Sequence, residues 1–138
     1  MMFLGEYVHK LDNKNRIMMP SDFRCDLDGK IYLTKGPEKS LVVYTEEEFQ
    51  KKSAALDQLV YENKKNRAIK RLFFSSTVKI NLDKQGRILI NKSLKDYAEI
   101  SDEAMIIGNN TTIEIWDKTI WEKYINEVEV NLSDIMDE

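Results

Sequence analysis

One cysteine and one histidine stand in the 138-residue chain. Cys25 therefore has no partner for an internal disulfide, and with His9 it falls short of the four Cys and His ligands of a closed zinc site. The five glycines are too sparse for a phosphate-cradling loop or a dinucleotide fingerprint, and no serine occupies a nucleophile elbow. His9 lies in an alternating segment without an orienting partner and reads as structural, while Cys25 reads as a small packed hydrophobe. Asp22, Asp26 and Asp28 lack the spacing, glycine and closing glutamate of a calcium loop and read as a solvated turn. These gaps argue against an enzyme, a metal, any cofactor or a small-molecule substrate. No window of about 18 apolar residues occurs, and polar groups follow the first four residues of MMFLGEYVHK. Neither a membrane span nor a signal peptide is expected, which places the chain in the cytoplasm.

What is present is a folding composition with an uneven charge. Hydrophobic residues make up 42% and charged residues 33%, close to globular averages. The net charge of −3 and pI of about 5.3 alone speak against nucleic acid. The distribution reverses that reading. Residues 63–95 hold ten bases against the single acid Asp83, a net +9, whereas residues 117–138 hold seven acids against Lys118 and Lys123, a net −5.

The chain also repeats itself. Leu11-Asp12-Asn13-Lys14-Asn15-Arg16-Ile17 matches Leu82-Asp83-Lys84-Gln85-Gly86-Arg87-Ile88 at an offset of 71, with Leu, Asp, Arg and Ile identical. Leu41-Val42-Val43-Tyr44-Thr45 then matches Ile113-Glu114-Ile115-Trp116-Asp117, and Phe49 matches Trp121, at an offset of 72. One inserted residue reconciles the two, and two copies of one unit follow.

Each copy opens with an alternating run, Phe3 to Leu11 or Val78 to Leu82, then the Asp-x-x-x-Arg turn and a short apolar strand, which predicts a hairpin. Pro20 starts a short helix through Phe23 and Leu27, and Asn91 caps its counterpart with Leu94 and Tyr97. Two further strands follow in each copy, Ile31–Leu33 with Leu41–Tyr44 and Met105–Ile107 with Ile113–Trp116, joined by the turn formers KGPEKS and GNNTT. Thr45 has capping-box spacing for a helix with apolar Phe49, Ala55, Leu56, Leu59 and Val60. A second helical stretch runs from Asn66 to Phe74, Asp117 caps a last helix through Trp121, Tyr124 and Val128, and residues 130–138 show no period.

The repeated turn carries the functional signal. Asp12 and Asp83 are expected to accept backbone amides, with Asn15 and Gly86 able to take positive φ. Arg16 and Arg87, beside Lys14 and Lys84, are expected on exposed turns, where a guanidinium can fork onto guanine O6 and N7 or bridge phosphates. The run NKKNRAIKR over 63–71 reads equally as a solvated helix face or as a phosphate-contacting one. Phe73, Phe74 and the two tryptophans read as core, leaving no stacking platform for single strands.

The opening Phe3-Leu4-Gly5-Glu6-Tyr7-x-His9-x-Leu11-Asp12-x-Lys14-x-Arg16, the second Leu82-Asp83-Lys84-Gln85-Gly86-Arg87 and Ile113-Glu114-Ile115-Trp116 together resemble the MraZ family over about residues 3–125. The resemblance implies an α+β, mostly β fold: a pseudo-twofold, AbrB-like swapped-hairpin β-barrel from two tandem βαββ-type copies. SpoVT-AbrB-like copies would span 5–48 and 76–120, with a helical connection at 49–74 and a C-terminal helix and acidic tail at 121–138. It implies a nucleoid-associated homo-oligomer, in ring form, that regulates the division and cell-wall gene cluster by binding repeated boxes of double-stranded DNA upstream of its own operon. DNA-binding residues carried over are Lys14, Asn15 and Arg16, with Lys84, Gln85 and Arg87 in the second copy. Asn15 stands where the family usually has glycine and Asn91 where it usually has proline; asparagine tolerates left-handed φ, so the turn should survive. An antitoxin-like module is the alternative, against which the short tail and doubled unit argue.

Overall fold

Residues of alternating character become strands that find their partners mostly in the other copy. A computed structural model describes residues 2–27 and 29–136, without the side chain of Ile135. Asp28 of the expected acidic turn and the tail acids Asp137 and Glu138 lie outside the described residues. Strand β1 (Glu6–Lys10) runs antiparallel to β7 (Glu103–Asn109), with Tyr7 opposite Ile106 and His9 opposite Ala104. Likewise β5 (Val78–Asn81) lies on β3 (Lys30–Lys35), and β2 (Arg16–Met18) on β6 (Arg87–Leu89), with Ile17 opposite Ile88. The pairs β3 with β4 (Leu41–Thr45) and β7 with β8 (Thr112–Asp117) form within a copy, and β4 pairs with β8 between copies. The result is a six-stranded antiparallel sheet, ordered β1-β7-β8-β4-β3-β5, and a two-stranded ribbon of β2 and β6.

The expected hairpins are therefore corrected. Each turn closes, Asp12 N–H donating to the Arg16 carbonyl at 2.9 Å and Asp83 N–H to the Arg87 carbonyl at 2.9 Å, but the flanking strands then diverge. The reason lies in Ile17, Met19, Ile88 and Ile90, which are all at most 1% exposed. A lone two-stranded hairpin leaves one face wet, whereas exchanging strands encloses all four, at about 1.5–3 kcal/mol per side chain.

Alternation along the sheet supplies two cores. Ile31, Leu33, Leu41, Val43, Ile106, Ile113 and Ile115 share the main core with the ribbon, Phe3 and Phe23. On the other face Tyr32 stacks on Phe49 at 4.0 Å, and Met105, Ile107 and Trp116 pack with Trp121. Helix α2 (Glu46–Asp57) begins where Thr45 Oγ1 accepts the Glu48 amide at 3.2 Å, and α5 (Lys118–Val130) where Asp117 Oδ2 accepts that of Ile120 at 3.2 Å. Helix α3 (Lys64–Ser76) outruns its expected limits because Asn63 Oδ1 accepts the Asn66 amide at 3.1 Å.

Several expectations change. The helices together hold more residues than the strands, so "mostly β" describes the core and not the chain. Helix α1 (Ser21–Arg24) stops before Leu27, the chain running on in three-residue turns with the Asp26 amide on the Phe23 carbonyl at 3.1 Å and the Leu27 amide on that of Arg24 at 3.2 Å. Pro20 offers it no capping side chain, while α4 (Lys92–Ala98) gains a 2.9 Å bond from the Leu94 amide to Asn91 Oδ1. Cys25 closes α1 exposed, not packed, since α1 turns Phe23 inward. Ala55 and Val60 are exposed because α2 presents only Phe49, Leu56 and their neighbours to the sheet and ends at Asp57. Phe74 is exposed because Phe73, one residue before it, takes the position facing Phe49. Beyond Asn131 a short helix α6 (Leu132–Met136) forms where no regular structure is expected.

Candidate nucleic-acid interface

The two Asp-x-x-x-Arg turns are built alike. Asp12 Oδ1 accepts the amides of Lys14 and Arg16, both at 2.9 Å, and Oδ2 accepts Arg16 Nε at 2.8 Å. Asp83 repeats this with the amides of Gln85 and Arg87 at 2.9 Å and Arg87 Nε at 2.8 Å. The left-handed position falls on Asn15 at φ 60° and Gly86 at φ 82°, as the residue types require. Both aspartates thus accept two backbone amides of their own turns.

The Arg16 amide first, then the Lys14 amide and the Arg16 guanidinium, hold the Asp12 carboxyl down from 3.8 to about 2, against burial, which raises it. The Arg87 amide and guanidinium lower Asp83 in the same way. A carboxyl depressed by folding lends stability that is complete above its unfolded value and lost as pH falls through the folded one. The turn is therefore expected to hold from neutral pH down to about 4 and to loosen toward about 2. Titration of the Asp12 carboxyl carbon by NMR checks this, and a midpoint at the ordinary 3.8 would contradict the hydrogen-bonded turn.

Pairing of β2 with β6 locks the two turns side by side. The Asn15 carbonyl accepts the Ile90 amide at 2.9 Å, and the Gly86 carbonyl accepts that of Met19 at 2.9 Å. Arg87 Nη1 also lies 3.7 Å from Asp12 Oδ2. Lys14, Lys84 and Gln85 are exposed and Asn15 is half-buried, so all six carried-over residues lie on this paired tip. The side chains of Arg16 and Arg87 are 30% and 25% exposed, half-buried where exposed arginines are expected. Each aspartate draws its guanidinium back through Nε, while the terminal amines of Arg16 keep no acceptor among the described residues.

Two bases join the tip that the motif does not contain. Arg24 Nη1 donates to the Gln85 carbonyl at 3.1 Å, and Lys95 Nζ donates to Asn15 Oδ1 at 3.0 Å. The sequence signals for them were the offset of 71 between their positions, which the turn motif also obeys, and for Lys95 its place at the end of the basic segment 63–95. His9 lies near this end of β1, and burial, then the Arg24 charge, lower its pKa below 6.5.

On α3, Arg67 Nη1 donates to the carbonyls of Tyr61 and Glu62 at 3.1 and 2.9 Å, and Lys70 lies 3.3 Å from Asp57. Arg71 Nη2 reaches the Tyr61 hydroxyl at 3.5 Å. Three bases of the 63–71 run thus fasten the α2–α3 connection, which favours the structural reading for them. Among the described residues no three His, Cys, Asp or Glu groups could hold a metal ion, and no helix is long and apolar enough to cross a membrane.

Residues 2–72 and 73–138 each match the model of the family described as "MraZ protein, putative antitoxin-like". The chain is also similar to a Finegoldia magna protein named "Transcriptional regulator MraZ", 43% identical over 136 residues that cover 99% of this chain and 95% of the relative.

Proposed function

Because the chain belongs to the MraZ family, we propose that it is a transcriptional regulator that binds double-stranded DNA sequence-specifically, without enzymatic activity. In this reading rings of identical subunits act in the cytoplasm, on the nucleoid, at short boxes repeated upstream of their own operon in the division and cell-wall gene cluster. The paired tip supports it: two turns locked together present Lys14, Arg16, Lys84 and Arg87 from one edge. A rigid two-stranded ribbon with such a tip fits the major groove, its arginines reaching guanine edges and its lysines phosphates. The SpoVT-AbrB-like copies at 5–48 and 76–120 would close as a swapped-hairpin barrel, a reading that the between-copy pairs β1–β7, β3–β5 and β2–β6 support.

Footprinting on the DNA upstream of its own gene, with sizing of the protein in solution, tests the proposal. Protections should recur at about one helical turn, roughly 10 bp, and that DNA should bind more tightly than a scrambled sequence at physiological salt. Equal affinity for both sequences would remove the regulator reading. The family description favours one second reading, a toxin-neutralising module, which co-purification of a small stable partner protein would bring forward.

A further inference from the structure

We propose that Arg24 and Lys95 are crossing positioning residues, each held at the end of one copy's short helix and setting the conformation of the other copy's turn. The inference rests on the DNA-binding reading for its consequence, but its geometry stands apart from it. Arg24 lies in the last turn of α1 and Lys95 in that of α4, at equivalent places in the repeat. Each reaches across: Arg24 to the Gln85 carbonyl in the second turn, Lys95 to the Asn15 amide oxygen in the first. The contacts are thus reciprocal although the residues and the acceptors differ.

Packing makes Arg24 more than a surface donor. A Cβ at Gly86 would lie 2.3 Å from Arg24 Cδ and 2.6 Å from its Nη1, so the arginine stem occupies the space that glycine leaves open. Its Nε is buried with no acceptor among the described residues. An unmet buried donor is a net cost, tolerated here where the rest of the side chain holds a left-handed turn. Lys95 holds Asn15, the first copy's left-handed residue, by the 3.0 Å bond from its Nζ to Asn15 Oδ1. Both turns are then fixed relative to each other by side chains as well as by the ribbon's backbone bonds. Recognition across two adjacent turns needs that fixed spacing, because a contact misplaced by about 1 Å is largely lost.

Arg24→Met and Lys95→Met in the full chain remove the donors while keeping the apolar stems. In the free protein, amide exchange at Gln85, Gly86 and Arg87 should speed up about tenfold in Arg24→Met, with Lys14, Asn15 and Arg16 unchanged, and the pattern should reverse in Lys95→Met. Operator affinity should fall about tenfold in each with the salt slope unchanged, since no phosphate contact is removed. Arg24→Lys, which places the second copy's residue in the first, should restore most of both. Exchange that is unchanged, or raised in the same copy's turn, overturns the proposal. So does a salt slope lowered by about 0.9 with undisturbed turns, the mark of a direct phosphate contact. If the unaltered protein shows no preference for its operator, the regulator reading fails, while the exchange pattern still decides the crossing.

Discussion

Arg16→Ala is expected to weaken operator binding by roughly 5- to 150-fold, the equivalent of the 1–3 kcal/mol carried by one bidentate arginine–guanine pair, and random-DNA binding far less. The expectation follows from how the two arginines are held. Arg87 gives Nε to Asp83 at 2.8 Å and leans Nη1 toward Asp12 at 3.7 Å, so its charge is shared between two carboxylates. Arg16 gives only Nε, to Asp12 at 2.8 Å, which aligns the guanidinium and leaves its terminal amines for a ligand. Arg87→Ala is therefore expected to have the smaller effect on sequence discrimination and to act more evenly on all DNA. Should several subunits engage neighbouring boxes, the loss repeats and the observed defect exceeds the single-contact range. Competition binding with operator and scrambled duplexes at one salt concentration measures both variants. If each keeps wild-type assembly and wild-type operator affinity, the repeated turn is structural only.

Phe3→Ala is expected to lower the stability of the whole chain by about 3–5 kcal/mol, the cost of emptying a buried phenylalanine site. Phe3 is 1% exposed and meets the Phe23 ring edge-on at 5.4 Å in the main core. It is held there by a bridge into the second copy, its amide donating to the Asn110 carbonyl at 2.7 Å and its carbonyl accepting the Asn110 amide at 3.0 Å. The chain crosses so close to Gly108 that a Cβ there would lie 2.3 Å from the Phe3 carbonyl carbon and from the Leu4 nitrogen. Backbone cannot yield as a flexible side chain can, so Gly108→Ala should expel the same segment. The double variant should then cost much less than the sum of the two. Urea unfolding midpoints at constant slope check this, and full additivity would mean that Gly108 does not act through Phe3.

The sequence alone determined the features whose interactions close within a few residues. The Asp-x-x-x-Arg turns span five residues, and the caps at Thr45, Asn91 and Asp117 reach three residues ahead, so composition and spacing suffice to predict them. The repeat was equally plain, because it is a property of the sequence itself. Only the tertiary structure decided which strands pair. Alternation marks an apolar face but is the same whether the partner is the next strand or one from the other copy, and burial of Ile17, Met19, Ile88 and Ile90 settled it. The tip was half legible for the same reason. Its aspartates and arginines lie within one turn, whereas Arg24 meets Gln85 across 61 positions and Lys95 meets Asn15 across 80. Such contacts leave no local pattern, because their partners come together only when the whole chain buries its core.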